Sequence, residues 1–428
     1  MAAMLPLAEG LVDRGHEVRF YTGSAFRTKV ESSGAIFEPM VTPLDPGERP
    51  LAECLPALRG VTGLSEVKAG LKYFFIHSSV GQVADLRRIQ REWKADAIIT
   101  DTAFAGAAYL HELGEGPVWV AVNTLPMILS SRDTAPFGPG IPPLGGPLGR
   151  ARNAALRMLT KKVIFSDVIR HNNAVRAGIG LPRKEGLIFD NALSPYLFLQ
   201  ASVEALEYPR RDLPPQVHFV GPMTGRPPSL SELPPWWDEL TSTSRPVVHV
   251  TQGTVNTAAD RLLKPAISAL AGEDVLVVVT TGGADVATLG PLPANVRAAE
   301  FVPHAILLPR VSAMVTNGGF GGVQTALSYG VPLVVAGDTE DKPEVANRVA
   351  FAGAGINLRT GAPSEGKLLS AVRRVLAEKR FRERASEIAL EIRRHDGVAT
   401  ASRLIEQLVD TGVPVVRPAG EGTRDRQA

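Results

Sequence analysis

The tightest constraint on the fold of this 428-residue chain is the alternation of short apolar runs with longer helical stretches. In the second half, "VVHVTQGT" reads as a strand running into a turn, "ADRLLKPAISALAG" as a helix and "DVLVVVTTGG" as a strand. "VRAAEFV" is another strand and "HAILLPRV" a short helix; strand "AMVTN", a glycine-rich helix, strand "PLVVAG" and helix "KPEVANRVAFAG" follow. The first half repeats the scheme. Met4, Leu7, Ala8, Leu11 and Val12 share one helical face, Gly15 stops that helix, and a strand is expected from Glu17 to Tyr21. "LRRIQREWKADAIITDTAFAGAAYLHELG" gives helix, strand (97–100) and helix, and "GPVWVAVNT" supplies one more strand. Helices alternating with short apolar strands mean a parallel, doubly wound α/β sheet, here in two facing copies.

Two stretches rich in proline and glycine interrupt the pattern. "SSRDTAPFGPGIPPLGGPLG" (130–149) is too long and irregular for a simple connection and reads as either a functional or a mobile loop. "GPMTGRPPSLSELPPWWDELTSTSRP" (221–246) reads as an interdomain linker. The division expected is a first domain over 1–222, a linker over 223–245, a second domain over 246–395, a helix over 396–412 and a disordered tail over 413–428. Each half is long enough to bury its own core. A net charge of +2 gives no reason to expect nucleic acid or an acidic membrane as partner. The single cysteine, Cys54, excludes an internal disulfide framework and a Cys-rich metal site, and fits a reducing cytosol. No apolar run reaches the roughly 18 residues of a membrane span, and no basic region precedes an apolar core at the N-terminus. A cytoplasmic protein, monomeric or weakly dimeric, is expected.

"TNGGFGGVQTALSYGVP" (316–332) places four glycines directly after a strand, at the start of a helix whose apolar positions include Val323, Ala326 and Leu327. Glycine costs a helix roughly 1 kcal/mol against alanine. Unpaired amides and the dipole make a helix N-terminus attractive to anions, and glycines let a phosphate approach closely. A tight turn with close helix–strand packing is the competing reading. The pattern lacks both the GxGxxG spacing and the Walker lysine. Other segments fall at equivalent strand ends. "TQGT" offers a second anion cradle, "FVPH" a ring able to stack on a base, and "GDTEDKP" carboxylates suited to sugar hydroxyls and, less readily, to a metal.

At these residues the chain resembles the family-1 glycosyltransferases, which move sugars from UDP- or dTDP-sugars to small molecules. "VTNGGFGGVQTALSYGVPLVV" is similar to their glycine-rich nucleotide motif, "EDKPEVANRV" to their acid-containing segment, "FVPHAILLPRV" to their aromatic-x-P-[QH] segment and "VVHVTQGT" to their strand ending G-[ST]. The match spans about 247–349 closely and the first half more loosely. It implies a GT-B fold of two facing Rossmann-like domains with a C-terminal helix crossing back, the acceptor site in the first domain and the nucleotide-sugar site in the second. Carried over by motif, Phe301 would stack on the pyrimidine, with the Val302 backbone and His304 reading its edge. Gly253, Thr254, Asn317, Gly318, Gly319, Gly321 and Gly322 would hold the diphosphate. Thr325 would face the ribose or deoxyribose, and Asp341 and Lys342 the transferred sugar. Asn317 stands where the motif usually has His, Thr325 where many members have Glu, and Lys342 where Gln is common. UDP- and dTDP-sugar donors, and the sugar itself, therefore stay open.

The implied reaction is displacement with inversion: a base deprotonates the acceptor hydroxyl, and helix amides rather than a metal stabilise the leaving diphosphate. No cofactor and no metal are called for; the partners are a nucleotide-sugar and a small acceptor, with the loops around 130–149 suggesting a hydrophobic one. Asp101 matches the acid that orients the family's His base. That His is expected just before Met1, so the resemblance implies a chain truncated at its N-terminus, lacking a central strand and the base. His16, His77, His111 and His249 read as structural. A non-catalytic nucleotide-sugar binder and a sugar-nucleotide 2-epimerase are the competing readings.

Overall fold

The computed structural model describes residues 4–225, 233–253 and 259–418. Twelve strands are present among them: β1 (Arg19–Thr22), β2 (Ile36–Pro39), β3 (Ala97–Asp101), β4 (Val118–Asn123), β5 (Leu197–Gln200), β6 (Val217–Phe219), β7 (Val247–Thr251), β8 (Leu276–Thr280), β9 (Val296–Ala299), β10 (Ala313–Thr316), β11 (Leu333–Val335) and β12 (Gly355–Asn357). All pair in parallel, as crossover connections through helices require.

The second half forms one six-stranded sheet, ordered β12-β11-β10-β7-β8-β9. Its strands are apolar on both faces because both faces are covered. Val247, Val278, Met314 and Val335 turn to one cluster, with Phe320, Val323 and Val345 from the helices above. Val248, Val250, Val277, Val279 and Val315 turn to the other, with Leu263, Ile267 and Leu368. The first half forms a four-stranded sheet, β3-β4-β5-β6, and a separate pair, β1-β2. The two meet through side chains, since Tyr21 of β1 packs edge-on against Phe104, just beyond β3, with ring centroids 5.8 Å apart.

Helix Gly397–Thr411 leaves the second half and packs on the first. Ala401, Ile405 and Leu408 share a core with Leu7, Leu11, Val120, Val122, Leu197 and Leu199. The Asp396 carboxylate caps its start by accepting the Ala399 N–H at 3.0 Å, and Gly412 ends it with φ of 66°.

Two expectations about boundaries need correction. The segment taken as a tail from 413 is ordered through 418. Val415 is buried, its N–H donates to the Tyr196 carbonyl at 3.0 Å, and the Arg417 N–H donates to Pro215 at 2.8 Å. The sequence shows only isolated apolar residues here, but they lie against the β5–β6 edge. The stretch taken as linker also carries structure. Helix Trp237–Ser242 packs Leu240 into the second half's core, and the Trp236 indole N–H donates to the Ala298 carbonyl at 3.0 Å.

Candidate active site

The order of the six-stranded sheet reverses between β7 and β10, and ligands of open α/β sheets bind beyond the strand ends at such a switch point. The adjoining ends are Thr251 and Thr316, paired in register, so the "TQG" turn and the glycine motif lie side by side. Asn317 stitches them, its amide donating to the Gln252 carbonyl. Gly253 takes φ of 77°, a left-handed turn that glycine adopts freely. Thr254 lies outside the described residues.

The glycines separate into two kinds. Gly318 (φ 88°) is required by packing, because a Cβ there would lie 2.8 Å from Val335 Cγ1. At Gly319, Gly321 and Gly322 a Cβ would meet nothing within 4 Å. Gly319 is the N-cap of helix Phe320–Ser328, and the other two lie in its first turn. Packing does not account for them, and open space stands before the free amides of the helix start. One turn on, the Thr325 hydroxyl donates to the Gly321 carbonyl at 2.8 Å, leaving its oxygen able to accept.

Beside this helix start is a shallow, open cleft lined by Gln252, Arg261, Asn317, Asp338, Thr339 and Lys342 among others. Arg261 closes one side, its guanidinium 3.0 and 3.1 Å from the Asp338 carboxylate. Asp341 stands just before helix Lys342–Phe351 without a side-chain capping bond, and burial raises its carboxyl pKa against the opposing pull of its own backbone N–H and of Lys342. Lys342 is buried and donates to the Thr339 hydroxyl at 3.2 Å and to the Glu340 carboxylate. Phe301 is 55% exposed, a free ring face, whereas Val302 is buried. His304 packs edge-on against the buried His249, ring centroids 5.7 Å apart. Burial depresses both imidazoles, His249 to about 3 with His304 adding to the effect.

In the first half, Asp101 ends β3, and its carboxylate accepts the Ala103 N–H at 2.8 Å and the Thr124 hydroxyl at 2.9 Å. Four of the histidines are engaged elsewhere: His16 with Glu406 at 2.9 Å, His111 against the Tyr196 ring, His171 with the Lys72 carbonyl and His218 with the Val415 carbonyl, whereas His77 is exposed.

Sequence reasoning missed the ionic core where the halves meet. The Arg348 guanidinium donates from Nε to Glu207 Oε2 at 2.7 Å and from Nη1 to Glu344 Oε2 at 2.6 Å. Glu207 Oε1 accepts the Met127 N–H at 2.7 Å, and Arg348 lies over the Tyr208 ring, 4.4 Å from its centroid. All three charged side chains are almost wholly enclosed. In sequence Glu344 and Arg348 are an i,i+4 pair, the signature of a solvated helix face; only the buried "VPL"-type strand nearby hints otherwise.

Comparison with known proteins agrees with this geometry. Residues 264–400 match the family described as erythromycin biosynthesis protein CIII-like, C-terminal domain. The chain is 49% identical over 408 residues to 4'-demethylrebeccamycin synthase of Lentzea aerocolonigenes, covering 95% of this chain and 96% of the relative. It is 32% identical over 414 residues to UDP-glycosyltransferase 2 of Phaeomoniella chlamydospora, covering 93% and 90%. The fold is that of the calicheamicin glycosyltransferase CalG4, with a TM-score of 0.72 at 20% identity and coverage of 97% and 96%. Two facing Rossmann-like halves, an anion-ready helix start at the switch point and an identity of 49% across nearly the whole of both chains lead to one assignment: this chain belongs to the GT-B, family-1-type natural-product glycosyltransferases.

Proposed function

We propose that the chain is an inverting glycosyltransferase that moves a sugar from a UDP- or dTDP-sugar to a hydroxyl of a small hydrophobic acceptor. The observation that carries this reading is the helix start at 319–322, where three glycines face space that packing does not need. There the amides take the charge that develops on the departing diphosphate. Phe301 offers a stacking face to the nucleobase, with Val302 and His304 beside it, and Thr325 faces the sugar of the nucleoside. Asp341 and Lys342 border the transferred sugar. The acceptor hydroxyl attacks the anomeric carbon as its proton leaves to a base, and the C–O bond to the diphosphate breaks. Asp101, fixed by Ala103 and Thr124, is the residue that orients the base. The relatives' names, a rebeccamycin-type synthase and a UDP-glycosyltransferase, support a natural-product acceptor and a nucleotide-sugar donor.

Calorimetry with UDP and dTDP tests the reading, on the wild type and on Gly321→Ala. The substitution removes a helix-interior glycine and is expected to raise Tm, since alanine is favoured there by about 1 kcal/mol. The same methyl stands where the diphosphate would lie, so affinity is expected to fall about tenfold or more. Binding of neither nucleotide, or equal binding by both proteins, would sink the assignment. Sugar transfer to a small hydrophobic acceptor, expected in the wild type and lost in Asp101→Asn, tests the role given to Asp101.

A further inference from the structure

The loop over 130–149, taken from sequence as either functional or mobile, is tied down at its root and at its tip. At its root the Ser130 N–H and hydroxyl donate to Asp190 at 2.8 and 2.9 Å, and Ser131 and Arg132 donate to Asp212 at 2.5 and 2.8 Å. Its tip crosses to the other half of the molecule. The N–H groups of Gly138 and Gly140 both donate to Glu344 Oε1, at 2.8 and 2.9 Å. Contact at Gly140 is close: a Cβ there would lie 2.3 Å from the Pro343 carbonyl oxygen and 2.6 Å from Asn347 Nδ2, and φ is 61°. Only glycine fits that approach.

Glu344 lies in the first turn of helix Lys342–Phe351, the element that starts at Asp341 and Lys342. Its second oxygen is held by Arg348, which is held in turn by Glu207 and, at 3.4 Å, by the Met127 carbonyl. The carboxylate is thus 3% exposed and fixed on both oxygens. A helix turn moves as a unit, so whatever fixes Asp341 and Lys342 fixes Glu344 and, through it, the loop tip.

We infer that Glu344 is a positioning residue that locks the 138–140 tip onto the donor-sugar edge, so that the loop of the acceptor half senses whether a sugar is attached to the bound nucleotide. The inference rests on the reading of the Asp341 edge given above. On that reading the nucleoside diphosphate sits at the glycine helix, and the hexose meets Asp341 and Lys342 at the start of the helix that carries Glu344. A sugar-loaded donor therefore stiffens the acceptor side, and a spent nucleoside diphosphate releases it.

The two amides report on their own bond. Hydrogen exchange at Gly138 and Gly140 is measured with UDP, dTDP, UDP-glucose and dTDP-glucose, binding being verified by calorimetry. In the wild type the sugar nucleotide is expected to slow these amides about tenfold more than its nucleoside diphosphate does. In Gly140→Ala, which leaves the Glu207–Arg348–Glu344 ions intact, that difference collapses while affinity for UDP or dTDP stays within about twofold. Glu344→Ala is the companion variant, and Gly140→Ala decides if it does not fold. A merely structural contact would lower Tm in these variants without any sugar-dependent change in exchange. Equal exchange with sugar nucleotide and nucleoside diphosphate, both bound, overturns the inference and leaves the functional reading standing; failure of every nucleotide to bind overturns both.

Discussion

His249 shows how a residue that reads as plain strand filling can carry a measurable property. It lies in the middle of β7, wholly enclosed, with Nε2 3.0 Å from the Thr280 hydroxyl and Nδ1 without a hydrogen-bond partner. Burial, reinforced by His304, lowers its pKa to about 3. The unfolded chain takes up this proton near pH 6.5, so stability is complete above that value and drains as pH falls toward 3, by up to about 1.4 kcal/mol per pH unit. His304 and His171, also lowered by burial, act in the same direction. Urea midpoints taken between about pH 7 and pH 5 are expected to fall in the wild type and to fall less steeply in His249→Gln. Matching slopes in the two proteins would count against the assignment. At this same scale the glycine motif was legible because a run of costly residues demands a cause. The second task of Asn317 was not: one N–H of its amide serves the neighbouring turn, a partner that no local pattern announces.

Among the elements, helix Lys342–Phe351 has two distinct faces. Val345, Ala346 and Val349 enter the core of the second half, and Glu344 and Arg348 enter the seam between halves. Arg348→Met leaves Glu207 and Glu344 as buried carboxylates without their shared cation, and is expected to cost about 3–5 kcal/mol in urea unfolding. A cost below about 1 kcal/mol for Arg348→Met would mean that the seam opens to water. The seam also marks the limit of sequence reading. Alternation gave the strands, β7, β8 and β10 above all, because period and apolarity are local properties. The edge strands β2 and β12 carry little apolar signal, and Arg348 lies 141 residues from Glu207 and Gly138 lies 206 from Glu344, relations that no local pattern encodes. For the same reason the ordered stretch through Val415 reads as tail until β5 and β6 are seen beneath it.

At the scale of the molecule, the 221–246 segment leads from one half to the other, and among the described residues the ionic seam, the 138–140 loop tip and helix Gly397–Thr411 on the first sheet hold the halves together. The helix makes the first core depend on residues near the C-terminus. Leu408→Ala is expected to cost about 2–5 kcal/mol, with exchange rising in β4 and β5 rather than in the six-stranded sheet; a rise confined to the latter would contradict the packing described. The same arrangement bears on how the chain is made. Synthesis delivers the first half early, yet Ala401, Ile405, Leu408 and Val415 of its core are made only after the second half. The half that emerges second can close its own core first, and the half that emerges first must wait, its β4–β5 face open, until the helix that follows the second half has been made.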